Sequence, residues 1–116
     1  MKYEPLPPIS RDEADHVFRM GDAESIATGL VRLALHEPDW RWVQERCLQL
    51  ASHPAVAVRR AAAISLGHLA RLHGTLDMSS ARATLRALAS DPDVAGFVDD
   101  ATDDIARFTG QRVTAA

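Results

Sequence analysis

Prolines and glycines divide this chain into six segments of helical length, and this division constrains the fold more than any other feature of the sequence. The breaks fall at Gly21, Pro38, Pro54, Gly74 and Pro92. Proline is excluded from helix interiors and glycine is common just after a helix ends. Within the segments, apolar residues recur at spacings of three and four, and no segment alternates with a period of two over the length of a strand. We therefore predict an all-α protein.

Capping residues fix the ends of the predicted helices. Ser10 and Glu13 form the pattern of a capping box at the start of the first helix, and Gly21 is expected to end that helix in the left-handed conformation. Short connections join successive helices, which predicts three antiparallel hairpins. The first helix is predicted at residues 11–20, and the second is capped by Asp22 and ends near His36. The third is capped by Asp39, and the fourth starts after Pro54 and ends at Gly74. The fifth is capped by Asp77 or Ser79, and the sixth follows Pro92.

Length and cysteine content narrow the class of protein. A chain of 116 residues suits one domain with one hydrophobic core, and its single cysteine cannot form an internal disulfide. The first residues lack the pattern of a signal peptide, and no apolar run is long enough to span a membrane. We expect a cytoplasmic monomer without membrane contact, divided into an extended proline-rich arm (1–9), one helical domain (10–110) and a tail (111–116).

Charge is distributed unevenly along the chain. Lysine and arginine against aspartate and glutamate number 4 and 7 in residues 1–38, 5 and 2 in residues 39–75, and 4 and 7 in residues 76–116. A basic centre therefore lies between two acidic ends. An excess of three positive charges is small for a surface that must hold phosphates, so we do not expect nucleic-acid binding.

The chain contains an internal repeat. The stretches WVQERCLQLASHPAVAVRRAAAISLGHLA and ARATLRALASDPDVAGFVDDATDDIARF share an apolar helix, a Ser-His-Pro or Ser-Asp-Pro turn, and a second helix. With a gap of one residue, the second helices align Val58, Ala62, Leu66 and Leu69 with Phe97, Ala101, Ile105 and Phe108. The second helix of the first copy resembles that of a HEAT repeat, with His53 at a position where the family commonly has aspartate. The matching residues are Val58, Arg59, Ala62, Leu66, Gly67 and Leu69.

The resemblance implies a short right-handed α-solenoid of about three HEAT-like hairpins, whose concave face binds protein partners or sometimes nucleic acid. It is specific over residues 42–73 and weaker over 79–109, where Phe97 and Val98 replace the Val-Arg pair. Alkylpurine DNA glycosylases share this architecture, so a nucleic-acid-binding protein of this kind is an alternative interpretation. A scaffold subunit of a larger bacterial assembly is another.

The fourth segment is apolar around most of its circumference. A step of about 100° per residue places a broad stripe from Val58 to Leu72 on one side and Ala63, Gly67, Arg60 and Arg71 on the other. Small residues on a far side that would normally be polar are typical of a central helix crowded by its neighbours. The alternative is a shallow groove in which Ala63 and Gly67 form the floor and Arg60 and Arg71 the flanks.

One acidic pattern resembles a metal site. Asp99, Asp100 and Asp103 have the Asp-Asp-x-x-Asp spacing by which all-α isoprenoid synthases hold magnesium and diphosphate. Those enzymes are much longer and carry a second metal motif. We interpret the three aspartates as a solvated acidic face, and we expect no metal.

The remaining reactive side chains do not form a catalytic set. The pair His36-Glu37 resembles the iron-binding pairs of deoxyhypusine hydroxylase, a HEAT protein that uses several such pairs where this chain has one. Cys47 shares the packed face of the third helix with Val43, where a thiolate is costly. We therefore expect no enzymatic activity and no cofactor.

The function that these observations favour is non-catalytic binding of another protein. Residues 38–108 also resemble short bacterial HEAT-like immunity proteins of polymorphic toxin systems, such as contact-dependent growth inhibition. That resemblance implies binding and neutralisation of a toxin domain, and the aspartates suit a basic one. Trp42 is an exposed anchor on the side of Arg46, unless the N-terminal hairpin folds over it. The predicted contact residues are Trp42, Arg60, Ile64, His68 and Arg71, with Asp99, Asp100 and Asp103 as an electrostatic rim.

Overall fold

The computed structural model describes residues 5–113 and contains six α-helices and no β-strand within that range. The predicted all-α fold and the order of its helices are confirmed. The arm predicted for residues 1–9 is described from Pro5 onward, and the tail predicted for 111–116 as far as Val113; the other residues of both lie outside the described range. The helices are α1 (Arg11–Met20), α2 (Ala23–His36), α3 (Trp40–Leu50), α4 (Val56–His73), α5 (Met78–Ala89) and α6 (Ala95–Thr109).

The helices pack as three stacked hairpins in two layers. Each odd-numbered helix packs against the helix that follows it, so the hairpins are α1–α2, α3–α4 and α5–α6. Helix α4 makes its most extensive contacts with α2 on one side and α6 on the other. The even-numbered helices therefore form one layer, here called the inner layer, with α4 at its centre. Helices α1, α3 and α5 form the outer layer.

The core lies between the two layers. Burial of one leucine or isoleucine side chain contributes about 1.5–3 kcal/mol to folding. Ile9 of the arm and Val113 after α6 are also buried in this core, so the packed domain extends slightly beyond the first and last helices. No helix in residues 5–113 is long and apolar enough to cross a membrane. The largest aliphatic side chains that are fully buried are Leu30, Leu33, Leu66, Leu69, Leu85, Ile105, Val43, Val58 and Val94.

The predicted caps lie at the helix ends, although Asp77 at the N-cap of α5 makes no side-chain capping hydrogen bond. Ser10 and Asp22 accept hydrogen bonds from backbone N–H groups in the first turns of α1 and α2, and Gly74 ends α4 with φ of 69°. The prediction that Gly21 is left-handed is wrong, because its backbone is extended (φ −80°, ψ 165°). Asp22 follows directly as the N-cap of α2, and a chain enters an N-cap in the extended conformation.

One face of α3 is partly polar. Val43 and Cys47 are fully buried, as predicted, and Trp40 is half-buried at the edge of that face. Gln44 is also buried, and it is bonded to the connection that precedes α5. Its side-chain N–H groups donate to the backbone oxygen of Asp77 (2.9 Å), and its side-chain oxygen accepts from the backbone N–H of the same residue (3.0 Å). A buried amide needs such partners.

Three Xaa-Pro turns share one type of hydrogen bond. In each turn the side chain before the proline accepts a hydrogen bond from the backbone N–H of the residue after the proline, as aspartate does in an Asx turn. His53 therefore takes, through a ring nitrogen, the role that Asp91 has in the corresponding turn of the second repeat. The three bonds run to Glu37 from Asp39 (2.8 Å), to His53 from Ala55 (3.0 Å) and to Asp91 from Asp93 (2.9 Å).

Arg59 ties the second hairpin to the third. Its Nη1 donates to the backbone oxygens of His53 (2.9 Å) and Pro54 (2.8 Å) in the turn that precedes α4. Its Nη2 lies 2.9 Å from Oδ2 of Asp91 in the turn that precedes α6. Because the guanidinium joins two turns of successive hairpins, Arg59 is a structural residue rather than a part of a binding surface.

The Asp91 carboxylate makes stability depend on pH. The Asp93 N–H group, and after it the Arg59 guanidinium, hold the pKa of Asp91 below its ordinary value of 3.8. A pKa that is depressed in the folded state stabilises the fold above the unfolded pKa, and that contribution disappears as the pH falls through the folded pKa. We expect wild type to melt above Asp91→Asn at pH 7, and the two melting temperatures to converge below about pH 3.8. A constant difference down to pH 2 would contradict this assignment.

Candidate functional site

Helix α4 exposes one continuous line of side chains. Leu72, near the end of the helix, is exposed as well (46%), so its predicted place in the apolar core stripe is wrong. Most of its other side chains from Val58 to Ala70 are buried, since α4 is covered by α2, by α6 and by the outer layer. The exposed line, here called the α4 strip, follows helical spacings of three and four and therefore forms one continuous row. Two of its residues are exposed and three are half-buried: it consists of Ala57, Arg60, Ile64, His68 and Arg71.

The predicted groove floor at Ala63 and Gly67 is wrong. Both residues are buried, and the exposed row lies beside them rather than above them. A Cβ atom at Gly67 would lie 3.3 Å from Cα of Ala101 and 3.4 Å from Oδ2 of Asp104. The small residues of this side thus allow α6 to approach α4 closely. The interpretation of α4 as a central helix crowded by its neighbours is the one that the structure bears out.

The arginines of the α4 strip differ from those that hold the fold together. Arg11, Arg46 and Arg59 each pair with a carboxylate. Within residues 5–113, neither Arg60 nor Arg71 has a carboxylate within salt-bridge distance. Both strip arginines therefore keep their charge available to a partner.

Both strip arginines are nevertheless held in place. Nε of Arg60 donates to the backbone oxygen of Asp93 (2.8 Å), and its guanidinium lies 5.3 Å from the ring centre of Phe97. Nη2 of Arg71 lies 3.0 Å from Nδ1 of His68. Side chains that are oriented before binding lose less conformational entropy when a partner arrives.

The surroundings of His68 favour its neutral form. Its partial burial, and after it the nearby charge of Arg71, hold the pKa of His68 below its ordinary value of 6.5, while the carboxylate of Asp104 acts in the opposite direction. A neutral ring leaves Nδ1 free to accept the hydrogen bond from Arg71. His68 thus orients Arg71 without adding a charge of its own.

An apolar groove runs beside the N-terminal half of the α4 strip. It has a volume of about 330 Å³ and lies on the inner layer, between α2 and α4, with contributions from α6 and from the arm. Arg60 is the one charged residue in its lining, which is Leu6, Ala27, Thr28, Val31, Ala57, Arg60, Ala61, Ile64 and Phe97. The groove and the strip together form a surface with an apolar centre and two cations.

The predicted acidic rim lies on α6. Asp99, Asp100 and Asp103 are exposed. At about 100° per residue, Asp100 lies on the same side of α6 as Asp104, next to α4, whereas Asp99 and Asp103 lie opposite the buried residue Ala101. The structure thus brings Asp100 towards the α4 strip and leaves the other two on the outer edge. Within the described residues, no group of three histidine, cysteine or acidic side chains is placed to hold a metal ion.

Trp42 is separated from the other predicted contact residues. It belongs to α3 in the outer layer, and it is half-buried rather than exposed. Arg11 of α1 and Arg46 of α3 lie over its ring, at 4.9 and 4.2 Å from the ring centre, and Arg46 pairs with Asp15 of α1 at 2.9 Å. The N-terminal hairpin therefore covers Trp42, which is the alternative that the sequence left open.

Cys47 has no place in this surface. It is fully buried in the core, as predicted, and burial raises the pKa of its thiol. Sequence reasoning did not find three other residues of the groove, namely Leu6, Val31 and Phe97. The repeat alignment pairs Phe97 with the core residue Val58, but Phe97 is only half-buried. Within residues 5–113, α6 is the final helix, so its repeat positions are less completely covered than those of α4.

Comparison with solved structures identifies a relative of nearly the same length. No protein-family model and no curated protein matches the chain. A chain in the crystal structure of the CDI complex from Cupriavidus taiwanensis LMG 19424 is 35% identical and superposes with a TM-score of 0.82. The match covers 93% of this chain and 97% of that one. With this identity over almost the full length of both, the protein belongs to the same family as that chain of the Cupriavidus CDI complex.

Proposed function

We propose that this protein is a non-catalytic immunity protein that binds and neutralises a toxin domain of a contact-dependent growth inhibition system. Its relative is a component of a CDI complex, which supports a role in binding another protein. A protein that neutralises by occlusion needs a complementary surface and no reactive group. We propose that it acts in the cytoplasm as a monomer, without metal or cofactor.

The observation that carries this proposal is the α4 strip with two arginines that form no ion pair within residues 5–113. Arg11, Arg46 and Arg59, by contrast, form ion pairs that connect one secondary-structure element to another. Arg60 and Arg71 are fixed by neighbours that leave their charge unneutralised. Arginine is also enriched among the residues that dominate protein interfaces. We assign the contact surface to this strip and the adjacent groove.

The acidic edge of α6 supplies a second charge. Asp99, Asp100 and Asp103 are exposed on α6, with Asp100 nearest to the strip, and we propose that they attract a basic region of the toxin domain. Charges at the rim of an interface mainly raise the association rate and are screened by salt. The two signs of charge on neighbouring helices would fix the orientation of the partner. Trp42 is not part of this surface, because α1 covers it.

The proposal is tested by co-expression with the neighbouring toxin. The proposed function predicts that an adjacent reading frame encodes a large secreted protein. The C-terminal domain of that protein is induced in a sensitive bacterial host, with and without this chain. We expect growth inhibition by the domain alone and normal growth with both. Continued inhibition when both proteins are soluble and abundant would contradict the proposed function.

Charge reversal on the strip is expected to remove binding and leave folding intact. Arg60→Glu with Arg71→Glu should weaken the affinity for that toxin domain by about 100-fold or more, because each change places like charges opposite each other. The melting temperature should stay nearly unchanged. Isothermal titration and differential scanning calorimetry measure the two quantities.

The matched control makes the same charge change on the outer layer. Arg19→Glu with Arg86→Glu alters two exposed arginines of α1 and α5 that have no side-chain hydrogen bond within residues 5–113. We expect this variant to bind like wild type at moderate salt. Equal loss of affinity in both double variants would show that net charge, rather than the strip, determines binding. Unfolding of the strip variant would show that its arginines are structural.

A further inference from the structure

The groove beside the α4 strip is built from four separate parts of the chain. Leu6 comes from the arm, Val31 from α2, Ile64 from α4 and Phe97 from α6. Its volume of about 330 Å³ is large enough for an aromatic or branched aliphatic side chain. An apolar recess of this kind is the usual receptor for an anchoring side chain in a protein interface.

The wall that the arm contributes is fixed by specific hydrogen bonds. Arg32 donates to the backbone oxygens of Pro7 (2.9 Å) and Pro8 (2.7 Å), and a ring nitrogen of His36 lies 2.7 Å from the backbone oxygen of Leu6. Ile9, at the end of the arm, is buried in the core. The arm from Leu6 to Ile9 is therefore a wall of the groove and cannot also be its occupant.

The edge of the groove carries one cation, the Arg60 guanidinium, whose two terminal nitrogens can donate hydrogen bonds to a partner. Nε of Arg60 is engaged by the backbone of Asp93, and its ring contact with Phe97 holds the guanidinium plane. Within residues 5–113, no acceptor bonds to Nη1 or Nη2 of Arg60. These two nitrogens match the two oxygens of a carboxylate, which arginine binds in a bidentate manner.

We infer that the groove receives an apolar side chain of the toxin domain that stands next to an aspartate or glutamate, whose carboxylate binds Arg60. This inference rests on the proposed function and specifies the chemistry of its contact. Charge complementarity selects the occupant, because an apolar recess edged by one unpaired cation favours an apolar side chain with a neighbouring anion over a basic or purely polar segment. The basic region of the toxin would then face the aspartates of α6.

The first test introduces a carboxylate into the groove. Ile64→Asp should weaken binding of the toxin domain encoded by the adjacent reading frame by about 30-fold or more, the loss typical of a central interface residue. Ala87→Asp is the matched control, since Ala87 is exposed and lines the other large apolar groove, of about 410 Å³, between α3 and α5 in the outer layer. We expect the control to retain wild-type affinity.

The second test does not depend on the fold of the Ile64 variant. Arg60→Glu should weaken binding, and a set of single Asp→Arg and Glu→Arg changes across the toxin domain should contain one that restores affinity to Arg60→Glu alone. That charge swap identifies the paired carboxylate directly. The restoring position should lie within two residues, or one helical turn, of an exposed apolar side chain.

The outcomes separate this inference from the proposed function. Failure of the wild-type protein to bind the toxin domain would refute the proposed function itself. Wild-type affinity in both Ile64→Asp and Arg60→Glu, with loss only when the α6 aspartates become asparagine, would keep the function and overturn the inference. Retardation of a DNA duplex that Arg60→Glu abolishes, without any effect of that change on toxin affinity, would assign Arg60 to phosphate instead and would overturn it as well.

Discussion

Replacement of Gly67 by leucine is expected to lower the free energy of unfolding by about 3 kcal/mol or more, the upper part of the range for overpacked sites. Even the Cβ atom of a new side chain would lie only 3.3 Å from Cα of Ala101 on α6. The further atoms of leucine would overlap with that helix, so α4 and α6 would have to separate. Urea unfolding followed by circular dichroism measures the change.

Gly96 provides a control in the same type of element. It lies in the first turn of α6, and a Cβ atom there meets nothing within 4 Å. Leucine forms helices better than glycine by somewhat under 1 kcal/mol, so Gly96→Leu should be neutral or slightly stabilising. Equal stability of the two variants would mean that α4 and α6 do not pack as described.

The adjacent residues Arg59 and Arg60 are expected to have opposite roles. Arg59→Ala removes the hydrogen bonds of a charged group to the turn before α4 and its contact with Asp91, which should lower the free energy of unfolding by about 2 kcal/mol. Binding of the toxin domain, measured below the new melting temperature, should be unchanged. Arg60→Ala removes one hydrogen bond to the Asp93 backbone and one cation–aromatic contact, which should alter stability by about 1 kcal/mol, and it should weaken binding.

This pair of substitutions tests the division between fold and surface at two neighbouring positions. Thermal melts and titration calorimetry on the same two proteins give all four values. The account would be contradicted if Arg59→Ala lost affinity without losing stability, or if Arg60→Ala unfolded the protein. Either result would exchange the roles that the hydrogen bonds assign.

The helices could be predicted because their ends depend on nearby residues. Ser10, Asp22 and Asp39 cap the helices they were expected to cap, since a cap is a contact over two or three positions in sequence. Gly21 was the exception, because its conformation depends on how soon the next helix begins. The position of Gln44 also required the fold, since its partners lie 33 or more residues away.

The candidate site could be predicted in part. Helical spacing placed Arg60, Ile64, His68 and Arg71 on one side of α4, and the structure shows them in one row. Spacing within one helix does not show which neighbours cover it, so the sequence left open an exposed floor at Ala63 and Gly67, whereas both residues are buried. Leu6 and Phe97 join the groove through contacts between distant segments, which no local pattern contains.

The same limit applies to the repeat. Ala101 and Ile105 are buried, as their alignment with Ala62 and Leu66 implies, but Phe108 remains 40% exposed although it aligns with the fully buried Leu69. Within the described residues no further hairpin packs on α6. An aligned position therefore has the same orientation in both copies without having the same burial.

The most direct test of the central claim, that the protein works by surface complementarity and without catalysis, is the stoichiometry of neutralisation. The toxic activity of the domain encoded by the adjacent reading frame is measured at fixed concentration while this protein is added in steps. We predict that activity falls linearly and reaches its minimum at one equivalent, because each molecule occludes one toxin domain through the α4 strip. Complete loss of activity at a small fraction of one equivalent would mean that the protein turns over its target as an enzyme, and would contradict the account.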